Sequence, residues 1–259
     1  MARKTIFGKC HLCLEEKDLN FEHVPPKCAF NKETKYKITP FLDLMQTQDP
    51  FNLKVKGRLE QGGIGVNAFC TNCNNFLGRK YVNAYLSWVK IAATAIGQGN
   101  YIGHDYSAFN QYPNKLLKQV ISMFLAINTP EFSETNYDLS RFVLDPDTTE
   151  LKEKYQIYTY LNTKGKTRYI PMTMVGNLKE GSSSFCTEIT FPPCGFVLCL
   201  NPTTKSNELL RNITHFKSTE PNKKYNVDIK INKLETHLPF PLDYRTKEEI
   251  KAAINKGNE

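Results

Sequence analysis

The chain has no uninterrupted apolar run near the roughly 18 residues that a spanning helix needs. It also shows no internal repeat and no low-complexity tract. A solenoid, a linker-like disordered protein and an integral helical membrane protein are therefore not expected. The basic start, Met1-Ala-Arg-Lys-Thr5, is not followed by the apolar stretch of roughly 7–15 residues that a secretory signal carries, so the expected location is cytoplasmic, with no membrane partner. Apolar residues make up 40% and charged residues 23% of 259, the balance of a folded globular protein long enough for two ordinary domains.

The charge is uneven. Residues 1–100 hold 14 Lys/Arg against 8 Asp/Glu, and residues 101–259 hold 20 against 18. A basic surplus concentrated in one part suits a polyanionic partner, because neutralising phosphates releases condensed counterions. Charge alone does not separate that reading from an ordinary basic protein.

Eight cysteines in a reducing compartment point to metal binding or burial rather than disulfides. Cys10-His-Leu-Cys13 and Cys70-Thr-Asn-Cys73 are paired as CxxC, each a tight turn, and together they offer four soft thiolates for a closed tetrahedral zinc site. Such a site would be structural, since four thiolates leave no open position for chemistry. Cys28, Cys186, Cys194 and Cys199 stand singly and are expected to be buried as small apolar side chains.

Between and behind the pairs lie the residues able to do chemistry. Glu22-His23-Val24-Pro25-Pro26 follows the first pair, and Asn74 comes directly after Cys73. A zinc ion tying the two turns together would bring these segments onto one scaffold. Glu22 and the Asn74 side-chain carbonyl are oxygen ligands of the kind a hard divalent cation takes. His23 can act as a general base. On a regular strand, however, Glu22 and His23 would project to opposite sides, so the strand has to bend for both to serve one site.

In this order, Cys-x2-Cys, Glu-His-Val-Pro-Pro and Cys-x2-Cys-Asn resemble the HNH endonucleases, the ββα-metal superfamily, over roughly residues 8–90. The resemblance implies an α+β fold with an N-terminal ββα-metal module over residues 1–100, stapled by zinc at Cys10, Cys13, Cys70 and Cys73. It implies His23 as general base, and Glu22 and Asn74 as ligands of a catalytic Mg2+ or Mn2+. It also implies DNA as substrate, RNA not being excluded, with Lys80 and Arg79 on the following helix near the phosphate backbone. Two departures stand out. Many members have Asp or His where this chain has Glu22, and the family's middle Asn, which fixes the loop, falls here at Gly65, leaving Asn67 as the nearest substitute. A catalytically inactive, zinc-stapled module that binds nucleic acid or protein is the competing reading.

Elsewhere the pattern predicts elements. Leu77, Tyr81, Tyr85, Trp88 and Ala92 form one apolar stripe of a helix from Asn74 to about Ile96, with Lys80, Asn83, Ser87 and Lys90 on a polar face. A second amphipathic helix, about Asn114–Ile127, turns Leu117, Val120, Ile121 and Phe124 inward and stops at Asn128-Thr-Pro130. Val66–Phe69, Tyr155–Leu161, a strand through Met174, Ser184–Phe191, Gly195–Leu200 and Tyr225–Ile231 read as strands. Residues 31–62 read as a loop whose Lys32–Lys37 cluster is solvated, and Thr246-Lys-Glu-Glu249 as a capping box. A boundary near Gly97–Asp105 would separate an α+β accessory domain, residues 101–259, serving a regulatory partner or homo-oligomerisation. By analogy with free-standing HNH proteins, a role in bacterial restriction or anti-phage defence is expected. His11 is expected to be exposed, and His104, His215 and His237 to be structural.

Overall fold

The computed structural model describes residues 6–38, 58–97, 105–163, 167–177, 182–202 and 209–238. The Thr246 capping box and His104 lie outside them. The fold is α+β, with every strand pairing between named strands antiparallel.

At the N-terminal end, β1 (Ile6–Lys9), β2 (Glu16–His23) and β5 (Gly65–Cys70) form a three-stranded sheet in the order β1-β2-β5. A tight turn, Lys27–Asn31, follows β2, and the short strands β3 (Tyr36–Ile38) and β4 (Arg58–Glu60) pair beyond it. Part of the expected 31–62 loop is thus a hairpin-like pair, and residues 39–57 lie outside the described residues.

The expected single helix from Asn74 to Ile96 is two: α1 (Thr71–Lys80) and α2 (Val82–Gly97), broken at Tyr81. The stripe hid the break, because Leu77, Tyr81, Tyr85, Trp88 and Ala92 are all buried on one continuous face. Tyr81 leaves helical geometry while its hydroxyl donates to the Val143 carbonyl at 2.7 Å, a buried bond that holds the joint. Helix α3 (Pro113–Ile127) runs through the core. Its inward residues are fully buried as expected, but so are Asn114, Lys118, Gln119 and Ser122, so it is enclosed rather than amphipathic on a surface. Lys118 is tolerated there because its ammonium donates to the carbonyls of Asp145, Pro146 and Thr148 at 2.7–2.9 Å.

Two further helices, α4 (Pro130–Thr135) and α5 (Tyr137–Leu144), follow where Pro130 reads as a stop. Pro130 instead opens α4 at its first position, where the missing N–H costs nothing, and the Thr129 hydroxyl caps it by accepting from Phe132 N–H.

The larger sheet orders β11 (Arg211–Asn212), β7 (Tyr155–Leu161), β10 (Cys194–Leu200), β9 (Ser182–Phe191) and β8 (Arg168–Asn177). It is covered on both faces. Tyr155, Ile157 and Leu161 belong to the main core, and Tyr158 and Tyr160 to a second cluster with Cys186, Val197 and Leu238. That double burial explains the tyrosines on both faces of β7. Strands β6 (Asp105–Gln111) and β12 (Tyr225–Lys230) form a separate pair. The main core runs without a gap from Cys10 through Trp88 and Phe124 to Ile231, so the N-terminal sheet and the larger sheet share it. No helix among the described residues is long and apolar enough to cross a membrane.

Candidate metal centre and adjoining cleft

The two CxxC pairs meet. Cys10, Cys13, Cys70 and Cys73 place their sulfurs within 4.8 Å of one another, with Cys13 and Cys70 at 4.0 Å. A tetrahedral ion with bonds of about 2.3 Å sets its sulfurs roughly 3.8 Å apart, so the cluster fits zinc with little adjustment. The local folding follows from the sequence. Cys10 and Cys13 sit in a turn in which Leu14 N–H donates to Cys10 O at 2.9 Å and Leu14 takes φ +63°. Cys70 ends β5 and Cys73 lies in the first turn of α1. The Cys70 N–H donates to Cys10 Sγ at 3.3 Å, an arrangement that favours a thiolate there. The Cys10 thiol is drawn down to about 4 by the hydrogen bond from Cys73, which also pushes Cys73 well above the ordinary thiol range. Burial pushes Cys13 up to about 11. Four converging sulfurs, one of them already inclined to ionise, make a donor set that can hold a structural metal such as zinc.

Beside the cluster, a cavity of about 460 Å3 is lined by Glu22, His23 and Asn74 together with Lys27, Cys28 and Lys32. Glu22 and His23 both border it at the end of β2, past a register slip with β5 between Asn20 and Phe21; from Phe21 to His23 the pairing with β5 is regular, opposite Asn67, Val66 and Gly65. Glu22 is buried, and burial alone pushes its carboxyl up to about 8. Among the described residues no side chain donates to it or pairs with it. A charged carboxylate at this depth is costly unless a hydrogen-bond donor or a cation lies beside it. Nε2 of His23 lies 3.2 Å from the Gly62 carbonyl. A carbonyl only accepts, so Nε2 carries hydrogen, and in the neutral ring Nδ1 holds the lone pair. Phe21 packs edge-on to the imidazole at 5.1 Å.

Two glycines make this approach feasible. Gly63 has φ +96°, and a Cβ there would come within 2.7 Å of His23 Cδ2. A Cβ on Gly65 would overlap the Glu22 carbonyl oxygen. The position expected for the loop-fixing Asn therefore admits only glycine. Asn67 ties β5 to β2 by donating to Leu19 O at 3.2 Å. The side chain that spans the loop is Asn31, fully buried. It donates to Pro25 O at 2.7 Å and Ile64 O at 2.8 Å and accepts from Ile64 N–H at 2.8 Å, locking the segment after His23 to the segment before β5.

Arg79 and Lys80 are exposed in the last turn of α1. Lys32, read from the sequence as part of a solvated loop, lines the cavity, as does Lys27. Cys28 is exposed, against the expectation of burial, because it sits on the turn at the cavity mouth, while Cys186, Cys194 and Cys199 are buried. His11 is half-buried rather than exposed, with Nδ1 3.1 Å from Leu125 O. Asn31, Lys27 and Gly63 carry no periodic signal, and only the closeness of Asn31 to the Glu-His-Val-Pro-Pro segment could have marked it. Family models, curated proteins and solved structures give no match to this chain.

Proposed function

We propose that this chain is a metal-dependent HNH-type endonuclease that hydrolyses phosphodiester bonds in DNA. The observation that carries the reading is the convergence of Glu22, His23 and Asn74 on one cavity against the four-cysteine cluster. β2, β5 and α1 are then its ββα module, and the zinc at Cys10, Cys13, Cys70 and Cys73 is its staple.

In this reading Glu22 and the Asn74 carbonyl hold a Mg2+ or Mn2+ ion. When bound, that ion stabilises charge on the phosphate and the leaving oxygen. His23, oriented by Gly62 O, takes a proton from water on Nδ1 as the water oxygen forms its bond to phosphorus and the P–O bond to the leaving strand breaks. Lys27 and Lys32, at the cavity, neutralise the scissile strand, and Lys80 and Arg79 hold the duplex further out.

The test is incubation with supercoiled plasmid and Mg2+ or Mn2+ beside His23→Ala. Nicking by the wild type and not by the variant supports the reading. Equal nicking by both would exclude His23 as base. Metal-independent, salt-sensitive binding with no nicking would mark the inactive binding module instead. Parallel incubation with RNA decides the substrate.

A further inference from the structure

A second cleft, of about 880 Å3, opens between the N-terminal segment and the larger sheet. Ile64, Gly65 and Val66 line it, the last two being the β5 residues paired with His23 and Glu22, and Phe30 reaches it from the Lys27–Asn31 turn. The candidate catalytic cavity and this cleft therefore flank the same turn.

The lining has a definite chemistry. Four rings face the cleft, those of Phe30, Tyr36, Tyr169 and Phe191, together with two cations, Lys35 and Arg168, and no Asp or Glu is among the lining residues. Arg168 is buried, with Glu188 at 3.9 Å behind it, and the Glu188 oxygens already accept four shorter bonds from other groups. Lys35 is exposed and has no acidic partner among the described residues. The Tyr169 hydroxyl is buried with no hydrogen-bond partner among the described residues, which leaves a donor available.

Phe30 adds an independent observation. It has φ +67°, a conformation that costs a side chain about 1 kcal/mol or more and that glycine or asparagine would adopt readily. Its ring is nonetheless 51% exposed, so packing does not account for it. A strained backbone that presents an exposed ring at a cleft mouth fits a stacking surface.

We propose that this cleft binds a nucleoside phosphate, with its base against Phe30 and the neighbouring rings and its phosphate at Lys35 and Arg168. Aromatic faces take any base, and a guanidinium and an ammonium take the phosphate. The cleft volume lies within the roughly 300–1,000 Å3 of small-molecule sites. The ligand is either a free nucleotide or one nucleotide of a single strand. The inference does not depend on the nuclease reading.

The experiment uses the full chain without added Mg2+ or Mn2+. AMP, GMP, ATP and GTP are titrated by calorimetry, and a fluorescein-labelled ten-residue oligothymidylate by anisotropy. Phe30→Gly removes the ring while suiting the backbone, so it folds, and it should weaken binding by roughly ten-fold or more. Lys35→Glu should weaken it at least as much. Loss of free-nucleotide binding in both variants supports the site and identifies a free ligand. Loss confined to the oligonucleotide supports it and identifies a strand. Binding unchanged by both substitutions, or no binding of any probe, overturns it.

Discussion

Two buried carboxylates in this molecule have opposite surroundings. Glu188, on β9 in the larger sheet, is fully enclosed and saturated: Tyr160 OH and His237 N–H donate to Oε1 at 2.6 Å, and Leu238 N–H and the Thr236 hydroxyl donate to Oε2 at 2.7 and 3.0 Å. Glu22, on β2, is buried with no such donors, and its carboxyl is pushed up to about 8 by desolvation. One group ties the 236–238 segment to the sheet. The other is held at a cost that folding alone does not explain. Burial is therefore alike in the two, and what differs is the completeness of the hydrogen-bond shell, which under the proposed function leaves room for a metal ion at Glu22. The same contrast holds for cations: Lys118 is enclosed by three carbonyls, while Lys27 and Lys32 are left at the rim of a cavity.

The largest effect should come from the thiol cluster. The N-terminal sheet adds only a few side chains, Leu19, Ala68 and Phe69 among them, to the shared core, so a staple there should contribute more to its order than to that of the larger sheet, which is buried on both faces. Structural zinc contributes on the order of 10 kcal/mol in small modules. Removing metal with a strong chelator, or replacing Cys73 by Ser, should lower Tm by more than about 10 °C for a chain of this size. It should raise hydrogen exchange in β1, β2 and β5 before the larger sheet. Differential scanning fluorimetry, elemental analysis and exchange mass spectrometry check this. Absence of bound metal together with an unchanged Tm would reduce the cluster to four packed thiols.

Matched substitutions then test the comparison directly. Glu188→Gln keeps the shape but turns one acceptor oxygen into a donor facing the groups that donate to it, so it should cost about 3–5 kcal/mol in urea unfolding. Glu22→Gln should leave stability equal or slightly higher and reduce plasmid nicking about a hundred-fold, the loss of several kcal/mol of metal-borne stabilisation. If Glu22→Gln destabilised as much as Glu188→Gln, with nicking otherwise intact, the two carboxylates would be alike and the site assignment would fail.

Next in size is the loop lock. Asn31→Ala removes three buried hydrogen bonds and should cost about 3 kcal/mol. Asn67→Ala, which loses the 3.2 Å bond to the Leu19 carbonyl, should cost less, about 1 kcal/mol. Nicking should fall with the first at temperatures where the fold persists and stay near wild type with the second. Equal costs would return the loop role to Asn67.

The sequence shows the donor set plainly, because thiol pairs and the Glu22-His23 segment are local and chemically distinctive. It shows the long strands and the stripe of the first helices for the same reason: their periods repeat within a few residues. What it hides depends on contacts between distant residues. Asn31 acts through Ile64, 33 positions away, and β6 exists because it pairs with β12 across more than a hundred residues. Pro130 has two meanings, stop or first helical residue, and only the Thr129 cap decides between them. Gly65 is legible as a flexible residue but not as one pressed against the Glu22 carbonyl.

The smallest effect concerns the outer cations. Lys80 ends α1, exposed, where its charge also complements the carbonyl end of the helix by a few tenths of a kcal/mol. Lys80→Ala should therefore barely change stability. If the duplex lies along α1, the variant should weaken DNA binding modestly and reduce the slope of log affinity against log salt by about 0.9, one phosphate contact. Lys152→Ala, whose ammonium pairs with Asp138 at 2.8 Å on α5, is the control that should leave the slope unchanged. Equal slopes for wild type and Lys80→Ala would place the duplex away from α1 and leave Lys27 and Lys32, at the cavity itself, as the cations among the described residues that meet the strand.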